Sequence, residues 1–225
     1  MKKIILSAIL LAAITTQAQT KFGIEAGAIG SNFKVKADGD DNVKYRMTAG
    51  FKAGVFAEIP VSQNVFINPA LNFVHKGGKA VTHIENEGGS GDFNVVTKTN
   101  YLEMPVNLMY KLNGADAQGF YFGAGPVLGM GLGGEIKTTA SGTTSGGDPV
   151  NESEGISIKF DGKNTSDDNA HFKRLEWGAN AFAGYQLNNG LSFQLQYRPN
   201  FTNVSVEDNV SYKNNYFGFN IRYRF

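Results

Sequence analysis

Tyr216-Phe217-Gly218-Phe219-Asn220-Ile221-Arg222-Tyr223-Arg224-Phe225 closes the chain. Phe217, Phe219, Ile221, Tyr223 and Phe225 fall on one side of an extended segment; Tyr216, Gly218, Asn220, Arg222 and Arg224 fall on the other. Successive side chains of a strand point to opposite faces, so this period-two alternation reads as a strand with one apolar and one polar face.

The pattern recurs seven times upstream, at residues 22–34, 44–59, 64–75, 95–110, 119–134, 172–187 and 190–203. The second segment is the clearest. Tyr45, Met47, Ala49, Phe51, Ala53, Val55, Ala57 and Ile59 form one apolar row opposite Arg46, Thr48, Gly50, Lys52, Gly54, Phe56 and Glu58. Pro60-Val61-Ser62-Gln63, residues 113–118 and residues 188–190 are short connections, while 35–43, 76–94, 135–171 and 204–214 are long. Eight strands joined by alternating short and long connections predict an all-β, eight-stranded antiparallel up-and-down transmembrane barrel, with both termini on the short-turn, periplasmic side. Several strands exceed the roughly 9–11 residues that cross a bilayer at a tilt, so some project beyond it.

The other end of the chain agrees. Lys2 and Lys3 precede an apolar run from Ile4 to Ala13, and Thr16-Gln17-Ala18 offers small residues for cleavage. Residues 1–18 read as a secretory signal peptide and residues 19–225 as the barrel. Without Lys2 and Lys3 the chain holds 19 basic and 20 acidic residues, a balance with no nucleic-acid footprint. The absence of cysteine excludes a disulfide framework.

Alternation leaves open which face meets water. A secreted, lipocalin-like binding barrel keeps its apolar row inside. Here the polar rows are mostly Gly, Asn, Gln and Ser, far from the roughly 25–35% charge of a soluble surface. The inverse arrangement follows, with the apolar rows against lipid. Tyr45, Tyr101, Tyr110, Trp177, Tyr185, Tyr197 and Tyr223 near strand ends are then candidates for aromatic girdles at the membrane interfaces. The inward row of the fifth strand, Tyr121, Gly123, Gly125, Val127, Gly129, Gly131 and Gly133, is a flat wall. Glu25, Arg46, Lys52, Glu58, Glu103, Glu176, Arg198 and Arg222 are expected to fill the space opposite it as a paired charge network. Such a filled lumen does not pass sugars; a proton or ion path is the sharper alternative.

The terminal strand, ending on Phe225, resembles the C-terminal targeting strand of bacterial outer-membrane barrels. That resemblance implies that Phe217, Phe219, Ile221, Tyr223 and Phe225 are read by the barrel assembly machinery during insertion. Tyr101-Leu102-Glu103-Met104-Pro105-Val106-Asn107-Leu108-Met109-Tyr110-Lys111 is similar to a strand of the PorT-like outer-membrane β-barrel family of Bacteroidota. Phe122-Gly123-Ala124-Gly125-Pro126-Val127-Leu128-Gly129 and residues 178–187 continue the resemblance. It implies location and fold but transfers no catalytic residue. Pro69, Pro105, Pro126 and Pro199 inside strands are expected at bulges or strand ends, with Pro105 and Pro126, which lie in the strands that carry the resemblance, at fixed bulges.

Candidate chemistry is sparse. His75, His83 and His171 map to the outer loops or their rims without the spacing of a metal site or a nucleophile pair. Asp38 to Asn42 and Asp161 to Asn169 are acidic turns without EF-hand spacing. No catalytic, cofactor-binding or metal residue is expected. The leading reading is a non-enzymatic barrel that serves the envelope or binds a protein partner through its long loops, with outer-membrane lipid around it. A lipid-modifying outer-membrane enzyme and the secreted binding barrel are the alternatives. Residues 135–171 form the largest loop, and Ile156 to Phe160 within it read as one strand of an exposed hairpin.

Overall fold

The computed structural model describes residues 20–36, 44–86, 89–144, 149–163, 165, 167–207 and 211–225. The expected signal peptide and the acidic turn at Asp38 to Asn42 lie outside the described residues. The strands are β1 (Lys21–Lys36), β2 (Lys44–Arg46), β3 (Thr48–Pro60), β4 (Val65–Asn86), β5 (Gly89–Lys111) and β6 (Gly119–Thr144). They continue with β7 (Pro149–Lys159), β8 (Ala170–His171), β9 (Leu175–Gln186), β10 (Leu191–Arg198) and β11 (Ser211–Arg224).

Eight of these close a ring by antiparallel ladders, in the order β1, β3, β4, β5, β6, β9, β10, β11 and back to β1. The stagger of the ring can be followed residue by residue. Tyr185 pairs with Phe193, then Ile221, Ala26, Ala53, Phe73, Leu102, Met130 and finally Leu175, ten residues from the start on the same strand. For eight strands this shear sets a tilt of about 40° and a radius of about 8 Å, a bore that side chains can fill.

The short-turn end gathers residues 61–64, 112–118 and 187–190, with Thr20 and Phe225 beside them. Gly190 there takes φ +83, the left-handed geometry its turn requires. At the other end two of the expected long loops, 76–94 and 135–171, are largely strand among the described residues. β4 and β5 run on as a hairpin that pairs as far as Asn86↔Gly89, and β7 pairs with the end of β6 from Gly134↔Ile158 to Thr143↔Pro149.

The prolines hold a surprise. Pro69, Pro105 and Pro126 sit in ladders whose register is unchanged on either side, and Pro199 lies just past the end of β10. The bulges expected at Pro105 and Pro126 are absent, and Pro69 lies neither at a bulge nor at a strand end; only local hydrogen bonds are lost. Asn68 compensates at one of them, its side-chain amide donating to Ala57 O, the carbonyl that the register brings opposite Pro69, at 2.7 Å. Register shifts occur elsewhere, between Asn100 and Tyr101 and near Met47.

Candidate functional site

The two faces of the ring have opposite chemistry. Outward positions carry Phe120, Leu195, Trp177 and Phe217, at 62%, 65%, 58% and 58% exposure. Inward positions carry buried Glu25, Lys52, Glu58, Lys76, Glu103, Lys111, Glu176, Arg198 and Arg222. The polar side is the interior.

These charges are arranged in three tiers. Nearest the short turns, Glu58 accepts from Lys111 and from Arg224 Nη1 at 3.3 Å, while Arg224 Nη2 reaches Asp116 at 2.9 Å. In the middle, Glu25 is 2.9 Å from Lys52 Nζ and 3.1 Å from Arg222 Nε. The Arg222 guanidinium also lies 3.9 Å from the centre of the Phe56 ring, and it donates to Gln194 and Asn68. In the upper tier Lys76 bridges Glu103, at 2.8 Å, and Glu176. Arg198 donates to Glu176 at 2.8 Å, and the Tyr216 hydroxyl donates to Glu103 at 2.7 Å. Each carboxylate thus keeps several donors, which is what makes burial of a charge tolerable.

The glycine row of β6 makes room for this filling. A Cβ at Gly129 would stand 2.8 Å from Glu176 Cγ, and one at Gly131 would stand 2.2 Å from the Phe160 ring. Phe160 belongs to an apolar plug with Tyr101, Ile158 and Phe172, packed against Ile136 and Tyr212. The plug sits above the upper charge tier, and the Tyr101 ring covers Lys76 Nζ at 4.0 Å. A second cluster, Phe66, Met109, Tyr121 and Phe182, fills the bore towards the short turns.

Three expected positions are corrected. Arg46 is exposed and has no place in the lumen. Five residues separate it from Phe51, but four separate their partners Lys79 and His75, so an extra residue near Met47 reverses the facing of β2. The same reversal turns Tyr45 away from the outer wall. It lines a cavity of about 290 Å³ at the long-loop end with Phe33, Ala80, Val95, Ile136 and Tyr212. Tyr101 is 2% exposed, in the plug rather than on an outer girdle. The other seven expected lumen charges lie inside. Tyr110, Trp177, Tyr185, Tyr197 and Tyr223 point outward, Tyr110, Tyr185 and Tyr223 towards the short turns and Trp177 and Tyr197 farther up. Sequence reading missed Lys76, Lys111 and Arg224. Lys76 shares the parity of buried Asn72 and Val74, and extending that strand by one residue would have found it.

The histidines are dispersed. His75 stacks on Phe51 and bonds Asn100, and His83 bonds Asp92. His171 is held between Asp161 and Asp167, each at 2.8 Å, with Lys159 on Asp167 at 3.0 Å. Those hydrogen bonds raise the His171 pKa, and the imidazole in turn lowers the pKa values of Asp161 and Asp167. Among the described residues no group of three or more His, Cys, Asp or Glu side chains is placed to hold a metal ion.

A closed sheet with an apolar outer wall and ion pairs in its bore is built for lipid outside and protein inside, the construction of an integral barrel of the outer membrane. The chain belongs to the outer membrane protein beta-barrel domain family, which matches residues 17–206. No curated protein matches it significantly. Among solved structures it is similar to Ail of Yersinia pestis, crystallised with the heparin analogue sucrose octasulfate, at 15% identity and TM-score 0.39, over 92% of this chain and 99% of that one. It is also similar to Neisserial surface protein A, at 12% identity and TM-score 0.35 over 91% and 97% of the two chains. OprG of Pseudomonas aeruginosa follows at 13% and 0.37, over 91% and 95%.

Proposed function

We propose that this protein is a non-enzymatic, closed barrel that presents a recognition surface on the cell exterior. Its short turns and both termini face the periplasm, and its β4–β5 and β6–β7 hairpins stand outside. The carrying observation is the filled bore: three tiers of buried ion pairs beneath an apolar plug leave the barrel as a rigid support. Function then resides in what the barrel displays, since recognition gathers on loops held by a rigid scaffold. A protein partner for the hairpins is the favoured ligand class. The similarity of residues 101–111 to the PorT-like strand supports a narrower affiliation within the family.

Residues 1–18 serve as the export signal, and the rest of the chain forms the barrel. Phe217, Phe219, Ile221, Tyr223 and Phe225 act as the signal read by the barrel assembly machinery. Tyr110, Tyr185 and Tyr223 anchor the wall at one interface, and Trp177 and Tyr197 anchor it at the other.

Two measurements on the purified protein test this reading. Electrophoresis with and without boiling is expected to show a heat-dependent mobility shift, and planar bilayers are expected to show no stable conductance steps. Reproducible ion conductance would replace the closed support with a channel. Deleting Phe225 should lower recovery in the outer-membrane fraction at equal expression; unchanged recovery removes the assembly role.

A further inference from the structure

We propose that Arg46, Lys79 and Lys98 form a binding site for the phosphate groups of an anionic lipid in the outer leaflet. The proposal rests on the orientation argued above, with the long hairpins outside.

The register builds the site. Arg46 lies directly opposite Lys79, and Gly77, two residues along β4, lies opposite Lys98. All three side chains fall on the outer face. Lys79 alternates with buried Lys76 and Gly78, and Lys98 alternates with buried Thr97 and Thr99. Arg46 joins them only because of the extra residue near Met47. The result is three neighbouring cations across β2, β4 and β5, with Arg46 directly opposite Lys79 and Lys98 on the diagonal from it.

Like charges placed across a ladder destabilise it unless something neutralises them. Inside the bore the cations find partners: Lys52, Lys76, Lys111, Arg198, Arg222 and Arg224 all hold carboxylates. Among the described residues none of Arg46, Lys79 and Lys98 has an ion pair. That holds even though Glu135 is the cross-strand neighbour of Lys98. Three adjacent cations with no ion pair among the described residues make a place for an anion.

Position says which anion. Down the same outer rows come His75, Phe73 and Leu71 on β4, and Asn100, Leu102 and Met104 on β5. Leu71, Phe73 and Met104 are exposed and form part of the lipid-facing wall. Lys98 lies two outward positions beyond Leu102, about 10 Å along the barrel axis at the tilt given above. Cations placed that far past the apolar rows suit headgroup phosphates, which long side chains reach by extending from the apolar boundary. Phosphate oxygens accept several charge-assisted hydrogen bonds, and the Arg46 guanidinium suits a bidentate contact.

The test uses the full mature barrel in micelles, with native mass spectrometry counting retained lipid. Bisphosphorylated lipid A is expected to bind about a hundredfold more weakly to Arg46→Gln/Lys79→Gln/Lys98→Gln, near fivefold for each charge. Dephosphorylated lipid A should bind the unaltered protein as weakly as the phosphorylated form binds the triple variant. A Lys21→Gln/Lys163→Gln control, which removes charges away from the ladder, should behave as the parent does. Equal retention by the triple variant, with its heat-dependent mobility intact, overturns the proposal. So does inorganic pyrophosphate that binds as tightly as the lipid with the same variant dependence, because the source would then be a soluble anion. A Gly155→Cys variant labelled by an impermeant maleimide on intact cells reads the orientation separately. Labelling with unchanged lipid retention sinks the site alone, and absence of labelling sinks the orientation.

Discussion

Replacing Glu176 with glutamine removes one negative charge from a neutral buried cluster. Lys76 and Arg198 are balanced there by Glu103 and Glu176, all four almost inaccessible to solvent. Glutamine preserves the size of the side chain and its acceptor oxygen, so packing changes little. It leaves one surplus positive charge in the bore. Asn200 Nδ2, which donates to Glu176 at 3.0 Å, also faces an altered partner. Breaking a buried pair by removing one charge costs about 3–5 kcal/mol, against about 0–1 kcal/mol for an exposed pair. The unfolding midpoint in urea should therefore fall by more than about 1 M. Trp177 is the only tryptophan and lies on the lipid face, so its fluorescence reports detachment from the micelle. The double variant Glu176→Gln/Lys76→Met restores neutrality, and at least about 2 kcal/mol of the loss should return as a coupling term. A single variant within about 1 kcal/mol of the parent, or a double variant whose losses simply add, would show that solvent penetrates the bore and screens the cluster.

Three further outcomes are expected. His171 gains from Asp161 and Asp167 only while it can donate from both ring nitrogens. Its raised pKa means that this contribution is complete below the ordinary histidine value and is lost as pH rises through the folded value. The lowered carboxyl values of Asp161 and Asp167 set the acid limit: their contribution exists above the ordinary aspartate range and disappears as pH falls through the depressed values. Protease resistance of the segment around Asp161 and His171 should be higher near pH 5.5 than near pH 9, and Asp161→Asn/Asp167→Asn should flatten the difference. Gly131→Val should push against Phe160 and cost about 1–3 kcal/mol in the same urea assay, whereas Gly155→Val, where no atom stands within 4 Å, should be near neutral. Asn68→Leu should cost about 1–3 kcal/mol, because it leaves Ala57 O opposite a proline and takes an acceptor from Arg222.

Alternation was enough to count eight strands and to separate an apolar row from a polar one on each, and the sparse charge of the polar rows put seven charges in the bore. Those readings need only the period of a strand and the composition of its two rows, both local properties. Tyr101 lies on the inward parity of its strand and near its middle, and that parity, not the girdle reading, matches its place in the plug. Arg46 and Tyr45 lay beyond reach, because one extra residue near Met47 reverses their facing, and the reversal is visible only in the pairing with β4. The charge partners are likewise tertiary. Lys76 meets Glu176 from a strand 100 positions away, and Arg222 reaches Asn68 across 154. Such meetings depend on ring closure with a ten-residue stagger, which fixes the heights at which opposite walls face each other. The sequence by itself thus determined the strands, their two faces and the outer-membrane class. Only the closed ring decided which charges pair, where the plug sits, and which cations gather on the outer face, because those depend on register summed around the whole barrel.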